Sequence, residues 1–239
     1  MSIEHIEINQ GTIAQLFKLP KDMIDYLWER IDVAKKKKIN VKKNLVGYIS
    51  HSYNLEDPQN LIIKYFMDIL FNEKDNPKMF NFIKEELESM HKKTSNYKKN
   101  QVLMKPYLSG LWVNFQKKGE FQPTHDHTGM FSFVIWMDIP YDWKDEAKLP
   151  FAKMRAAGPP SVGNFAFVFS KGNCRNVSGY TISMSPEMNG YCCFFPSDLC
   201  HQVYPFYTSD KERISISGNI YWDEVHKEVK QIPFIVSNT

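Results

Sequence analysis

Apolar positions repeat with one period in the first hundred residues of this chain and with another beyond them. In the first part they recur at three- and four-residue steps, the spacing of a helix that buries one stripe. Pro20 opens one such stretch, with Met23, Ile24, Leu27, Ile31 and Ala34 on one face. Pro58 opens a second, with Leu61, Ile62, Tyr65, Phe66, Ile69 and Leu70. Asn76-Pro77 opens a third, with Phe80, Ile83, Leu87 and Met90 on its stripe. Proline suits a first helical turn, because the N–H it lacks would have no intrahelical partner there. Between the first two stretches, residues 45–55 read as strand, and 91–100 (HKKTSNYKKN) as a polar connector.

From Tyr107 onward the texture is that of strands. Residues 111–115 form one, and Phe131, Phe133, Val134, Ile135, Trp136 and Met137 form a continuous apolar run closed by Pro140. A run of that length, rich in aromatic and β-branched residues, predicts a strand buried on both faces. Short strands follow at 164–169, 181–184, 191–195, 201–206 and 213–222, separated by Gly, Pro, Asn and Asp. Many short strands with turn punctuation indicate a sandwich or barrel. Residues 141–160 form a long connection, a length that in a compact domain points to function or disorder. Its Lys148, Lys153 and Arg155 suit an acidic or extended substrate, and the segment is expected to be a mobile lid over the site. The pattern predicts a helical extension over 1–100 packed on a mainly β core over 101–239, α+β in all.

Composition narrows the function classes. Hydrophobic residues are 43% and aromatic residues 14%, enough for a sizeable core. Net charge is +3, too mild to call for a nucleic-acid partner, and the one dense basic run, Lys35 to Lys38 with Lys42 and Lys43, reads as a solvated helix end. Cys174, Cys192, Cys193 and Cys200 show no CxxC spacing, and adjacent Cys192 and Cys193 face opposite ways in a strand. Reduced thiols and a cytoplasmic location are expected. The opening MSIEHIEINQ has no apolar stretch of a secretory signal, and no apolar run approaches the ~20 residues of a membrane span.

The chemistry concentrates in 119–140, GEFQPTHDHTGMFSFVIWMDIP. In extended backbone residues i and i+2 share a face, so His125 and His127 point together and Asp126 points away. Two imidazoles on one strand face make a two-point metal claw. A third ligand must come from elsewhere, and His201, which begins a strand after the turn at 196–198, is the candidate. A bulge turning Asp126 inward would instead supply a carboxylate. Twelve residues beyond His201, Arg213, Ser215 and Ser217 share one strand face, with Ile214 and Ile216 on the other. Guanidinium and hydroxyl donors on one inward face suit a carboxylate. Trp112, Asn114 and Gln116 likewise share a face suited to lining a pocket.

HxH, a distant His, then Arg-x-Ser resembles the Fe(II)/2-oxoglutarate-dependent oxygenases, whose motif is HxD…H…RxS on a double-stranded β-helix. The resemblance covers roughly 111–222, and THDHTGMFSFVIWMDIP, FFPSDLCHQVYP and RISISGNIYW look closest to oxygenases of marine phage genomes. It implies a jelly-roll or cupin-like barrel and an enzyme using Fe(II), 2-oxoglutarate and O2, in the host cytoplasm if viral. It implies iron ligands at His125 and His201, with His127 where the family usually has Asp or Glu. Arg213 and Ser215, with Asn114, are then assigned to 2-oxoglutarate, and Trp112 and Arg155 to the pocket of a primary substrate. That substrate is a protein side chain such as prolyl, or a free metabolite. A cupin-type metal enzyme is the rival, since Gly119-x5-His125-x-His127 and Gly190-x5-Pro196…His201 fit its two motifs. The cupin Glu is missing, however, because Phe131 and Ser132 stand in its place. A metal-free binding module on the same barrel is the third reading.

Overall fold

The computed structural model describes residues 3–9, 12–74, 76–93, 102–154, 161–171, 176–225 and 234–236. The strands are β1 (Glu4–Asn9), β2 (Thr12–Lys18), β3 (His51–Asn54), β4 (Val102–Gln116), β5 (Gln122–His125) and β6 (Phe131–Asp138), then β7 (Phe165–Lys171), β8 (Asn176–Ile182), β9 (Tyr191–Pro196), β10 (His201–Val203), β11 (Arg213–Val225) and β12 (Phe234–Val236). The α-helices are α1 (Lys21–Lys37), α2 (Leu61–Ile69), α3 (Pro77–Lys93) and the short α4 (Trp143–Glu146) and α5 (Pro150–Lys153). They fall into two compact units, 1–56 with 110–219, and 57–109 with 220–239.

The first unit is a double-stranded β-helix. Its larger sheet runs β1-β2-β9-β6-β11-β4, with β3 paired to β4, and its smaller sheet runs β5-β10-β7-β8. The core lies between the two. Val134 and Trp136 of β6 and Cys193 and Phe195 of β9 pack with Phe165 and Phe167 of β7 and Ile182 of β8. Residues 131–137 are all buried, as their unbroken apolar run predicts. On α1, Leu27, Ile31 and Ala34 are buried at the expected spacing, and the lysines of its last turn are exposed, with Lys37 paired to Glu56 at 2.6 Å. Gly218 of β11 allows the close packing around it. A Cβ there would lie 2.8 Å from Cζ of Phe133 and 3.0 Å from the carbonyl oxygen of Gly110.

Residues 4–18, expected to share the helical character of the first hundred, form a β-hairpin that joins the sheet through β9. The reason lies in a period of two: Ile6 and Ile8 are buried while Glu7 between them is exposed. β4 begins nine residues before its expected start at 111, because Pro106 within it masks a strand in the sequence. β8 begins at Asn176, before the expected 181–184, and ends at Ile182, and β10 stops at Val203 rather than 206.

In the second unit, α2 starts at Leu61 rather than Pro58. The carboxylate of Asp57 accepts from the backbone N–H groups of Leu61 and Ile62, so 58–60 form the turn before the helix. α3 begins at Pro77 as predicted. Phe71 meets Trp222 edge-on at 5.2 Å between centroids, Tyr107 stacks on Tyr221 at 5.7 Å, and β12 pairs with residues 102–104 of β4.

Gly218→Ala is expected to destabilise the protein by about 1–3 kcal/mol, since Phe133 is fully buried and the other obstacle is backbone. Urea denaturation reads this directly, and an unchanged midpoint would contradict the packing.

Candidate active site

Antiparallel pairing of β5 with β10 places His125 directly opposite His201, with ring centroids 4.3 Å apart. His127 lies two residues beyond the end of β5. Its backbone N–H donates to the carbonyl of Ser197 at 2.8 Å, and its ring stands 5.1 Å from that of His125 and 5.0 Å from that of His201. One nitrogen from each of the three rings lies within 4.8 Å of the others. Asp126 between them is exposed. The alternation of an extended segment thus carries through to His127, and no bulge turns Asp126 inward.

Two of the rings have their tautomer set by the backbone. Nδ1 of His125 lies 2.7 Å from the Pro123 carbonyl, and Nδ1 of His201 lies 3.0 Å from the Leu199 carbonyl. A carbonyl only accepts, so each Nδ1 carries the proton and each Nε2 presents a lone pair. Burial disfavours the charged form of all three rings. It lowers His125 against the opposing pull of the Pro123 carbonyl, holds His127 down to about 4, and puts His201 well below the usual range, where the neighbouring His125 and His127 lower it further. Three neutral imidazoles with converging nitrogens are a ready metal donor set.

Arg213 opens β11 and is 3% exposed. Its Nη1 donates to the Tyr141 hydroxyl at 2.6 Å and to the Gly163 carbonyl at 3.3 Å, and its Nη2 donates to Oε1 of Gln116. Its guanidinium also lies 6.0 Å from the ring centroid of Phe206, on which Tyr141 stacks. All three hydrogen-bond acceptors are neutral, and among the described residues no carboxylate pairs with this buried cation. The Tyr141 hydroxyl donates in turn to Gly163, and burial raises its pKa while Arg213 opposes that rise. Gly163 is required twice over, for its φ of +76° and because a Cβ would lie 2.8 Å from the Tyr141 ring.

Residues 110–219 match the family model described as "Putative 2OG-Fe(II) oxygenase". This segment is a 2OG-Fe(II) oxygenase domain. No curated protein matches the sequence. Similar solved structures include a Pseudomonas putida prolyl-4-hydroxylase, at 15% identity over 87% of this chain and 91% of that one, TM-score 0.46. A Trichoplax adhaerens prolyl hydroxylase in complex with a hypoxia inducible factor peptide fragment is similar at 10% identity over 87% and 82%, TM-score 0.43. A Burkholderia pseudomallei oxidoreductase of the 2OG-Fe(II) oxygenase family is similar at 14% identity over 89% and 85%, TM-score 0.41.

The residues of this segment fit both groups that the matched family implies. Imidazole suits iron, and three neutral donors converge. A buried guanidinium with only neutral partners calls for an anion, and a carboxylate end of 2-oxoglutarate supplies one. Ser215 is half-buried on the face of β11 that carries Arg213. Asn114 is buried and accepts the Ser52 hydroxyl at 2.7 Å. Trp112, two residues earlier on the same face, has its ring 5.8 Å from that of His127, and its buried indole N–H has no acceptor among the described residues. Arg155 lies outside the described residues.

Of the expected lid, 155–160 lie outside the described residues, and 141–154 are anchored at Tyr141 and Glu146. α4 and α5 occupy the anchored part, Tyr141 is locked against Arg213 and Gly163, and the fully buried Glu146 accepts from the backbone N–H groups of Tyr207 and Thr208 and from the Thr208 hydroxyl. Charged residues in a loop normally read as solvated, which hid Glu146 in the sequence. Tyr141 and Gly163 were equally hidden, since their contacts with Arg213 join positions 50 and 72 residues apart. Among the described residues no helix is long and apolar enough to cross a membrane.

The buried histidines make stability depend on pH in a defined direction. Their folded values lie below the ~6.5 of an unfolded chain, so the unfolded state takes up protons first as pH falls. In chelator, apo protein is expected to lose stability from about pH 6.5 down to about 4. His127→Gln should flatten that slope; urea titrations giving the same slope for both proteins would contradict the burial argument.

Proposed function

We propose that this oxygenase is a hydroxylase in which His125, His127 and His201 hold Fe(II), and Arg213, with Ser215 and Asn114, holds 2-oxoglutarate. The single observation that supports it most is the buried Arg213 without an acidic partner in the domain that also brings three neutral imidazoles together. A cupin site has no use for that guanidinium, and a metal-free module has none for the converging nitrogens.

Bound iron and 2-oxoglutarate supply the oxidising power, with O2 consumed and the oxo acid decarboxylated to succinate and CO2. The chain's own residues bind and orient. Carbonyls of Pro123 and Leu199 keep the Nδ1 protons in place, so both Nε2 atoms stay available at neutral pH. Tyr141 and Gln116 lock the Arg213 plane, which leaves its remaining N–H donors to a carboxylate. Trp112 walls the metal side, and its indole N–H offers a donor to whatever oxygen-bearing group binds there. For the primary substrate we carry over from the resemblance a protein side chain such as prolyl, with a free amino acid or small metabolite as the competitor. The buried free thiols of Cys192 and Cys193 suit a reducing compartment such as the cytoplasm.

Two sets of variants test this reading. Arg213→Ala should weaken 2-oxoglutarate binding by on the order of 3–5 kcal/mol, since a buried carboxylate would lose its partner, with Arg213→Lys restoring only part. Calorimetry on Mn(II)-loaded protein measures it, and wild-type affinity in the alanine variant would end the cosubstrate assignment. His127→Ala should abolish Fe(II) retention and succinate formation, while Asp126→Ala keeps most of both. The opposite pattern would restore a carboxylate ligand.

A further inference from the structure

Of the three imidazoles, His127 alone stands outside a paired strand, and its fixed point is the Ser197 carbonyl, 2.8 Å from its backbone N–H. Ser197 sits just past β9, its own N–H donating to Met130 at 3.0 Å, and both Ser197 and Ser132 are 1% exposed. The two hydroxyl oxygens are 2.8 Å apart, and the Ser132 hydroxyl donates to Oδ1 of Asn219 at 2.9 Å. A hydroxyl has one proton. With that of Ser132 engaged on Asn219, Ser197 must be the donor between the two serines. The result is a directed relay from Ser197 to Ser132 on β6 to Asn219 on β11, strands adjacent in the larger sheet.

We propose that Ser132 and Asn219 are positioning residues for the third metal ligand: through Ser197 they set the backbone from which His127 reaches the metal. This rests on the three-imidazole reading above. The relay anchors the residue after β9 to the two neighbouring strands. Without it Ser197 keeps only its backbone N–H bond to Met130, its hydroxyl anchor to β6 and β11 is lost, and the carbonyl that fixes His127 is less firmly placed than the strand pairing that holds the other two rings. Asn219 lies on the same face of β11 as Arg213, so one strand face carries the cosubstrate anchor and the end of the ligand relay.

The test loads full-length protein with Co(II) and reads affinity and d–d spectrum, neither of which requires turnover. Ser132→Ala is expected to weaken Co(II) binding about tenfold and to shift the d–d bands. Asn219→Leu, at a half-buried position, removes the last acceptor and should reproduce both changes, so it decides the matter even if Ser132→Ala does not fold. Ser132→Thr keeps the hydroxyl and should retain wild-type bands. Variants that lose thermal stability but keep wild-type Co(II) affinity and bands would overturn the positioning role while leaving the metal site standing. Wild-type protein that binds no Co(II) would overturn the three-imidazole reading, and the proposal with it.

Discussion

Burying a positive guanidinium without a carboxylate beside it is unfavourable, and the site depends on how the fold tolerates it. Arg213 is met only by a phenol oxygen, a peptide carbonyl and an amide oxygen. These satisfy hydrogen bonds without neutralising charge, so the cation keeps its attraction for an anion. The same economy of charge governs the histidines, which burial keeps neutral and therefore able to ligate. In the apo protein the domain thus holds a buried cation whose hydrogen-bond partners are all neutral and a neutral donor cluster, and a metal and an acid would stabilise both on binding.

Both halves are delivered by strand pairing. The β5–β10 register sets His125 against His201, and the position of β11 beside β6 and β4 brings Arg213 to Gln116. Gly163 and Gly218 allow the close approaches this requires, one against Tyr141 and the other against Phe133 and Gly110. Glu146 performs a related task, gathering the N–H groups of 207–208 so that the chain can turn from β10 toward β11.

Legibility in the sequence followed range. His125 and His127 were readable because period-two alternation is local, and His201 and Arg213 because their strand contexts and order match a family motif. The buried run 131–137 and helix α1 were readable from periodicity alone. The hairpin at 4–18 was missed although Ile6 and Ile8 alternate with Glu7, because the helical stretches after it dominated the reading. Glu146, Tyr141 and Gly163 were unreadable in principle: their roles arise from pairings 50 or more residues away, which no local pattern encodes. The anchor at Glu146 went unread for the same reason, since a buried carboxylate in a charged loop looks like any solvated one.

The proposed function requires one pocket to hold a metal and a 2-oxo acid together. Anaerobic titration of the Fe(II)-loaded protein with 2-oxoglutarate, followed by visible absorption, tests it most directly. A charge-transfer band that grows to one equivalent per chain, and that appears with neither iron nor 2-oxoglutarate alone, is the predicted result. Protein that retains no iron, or that binds 2-oxoglutarate with equal affinity and no new band whether or not iron is present, would contradict it.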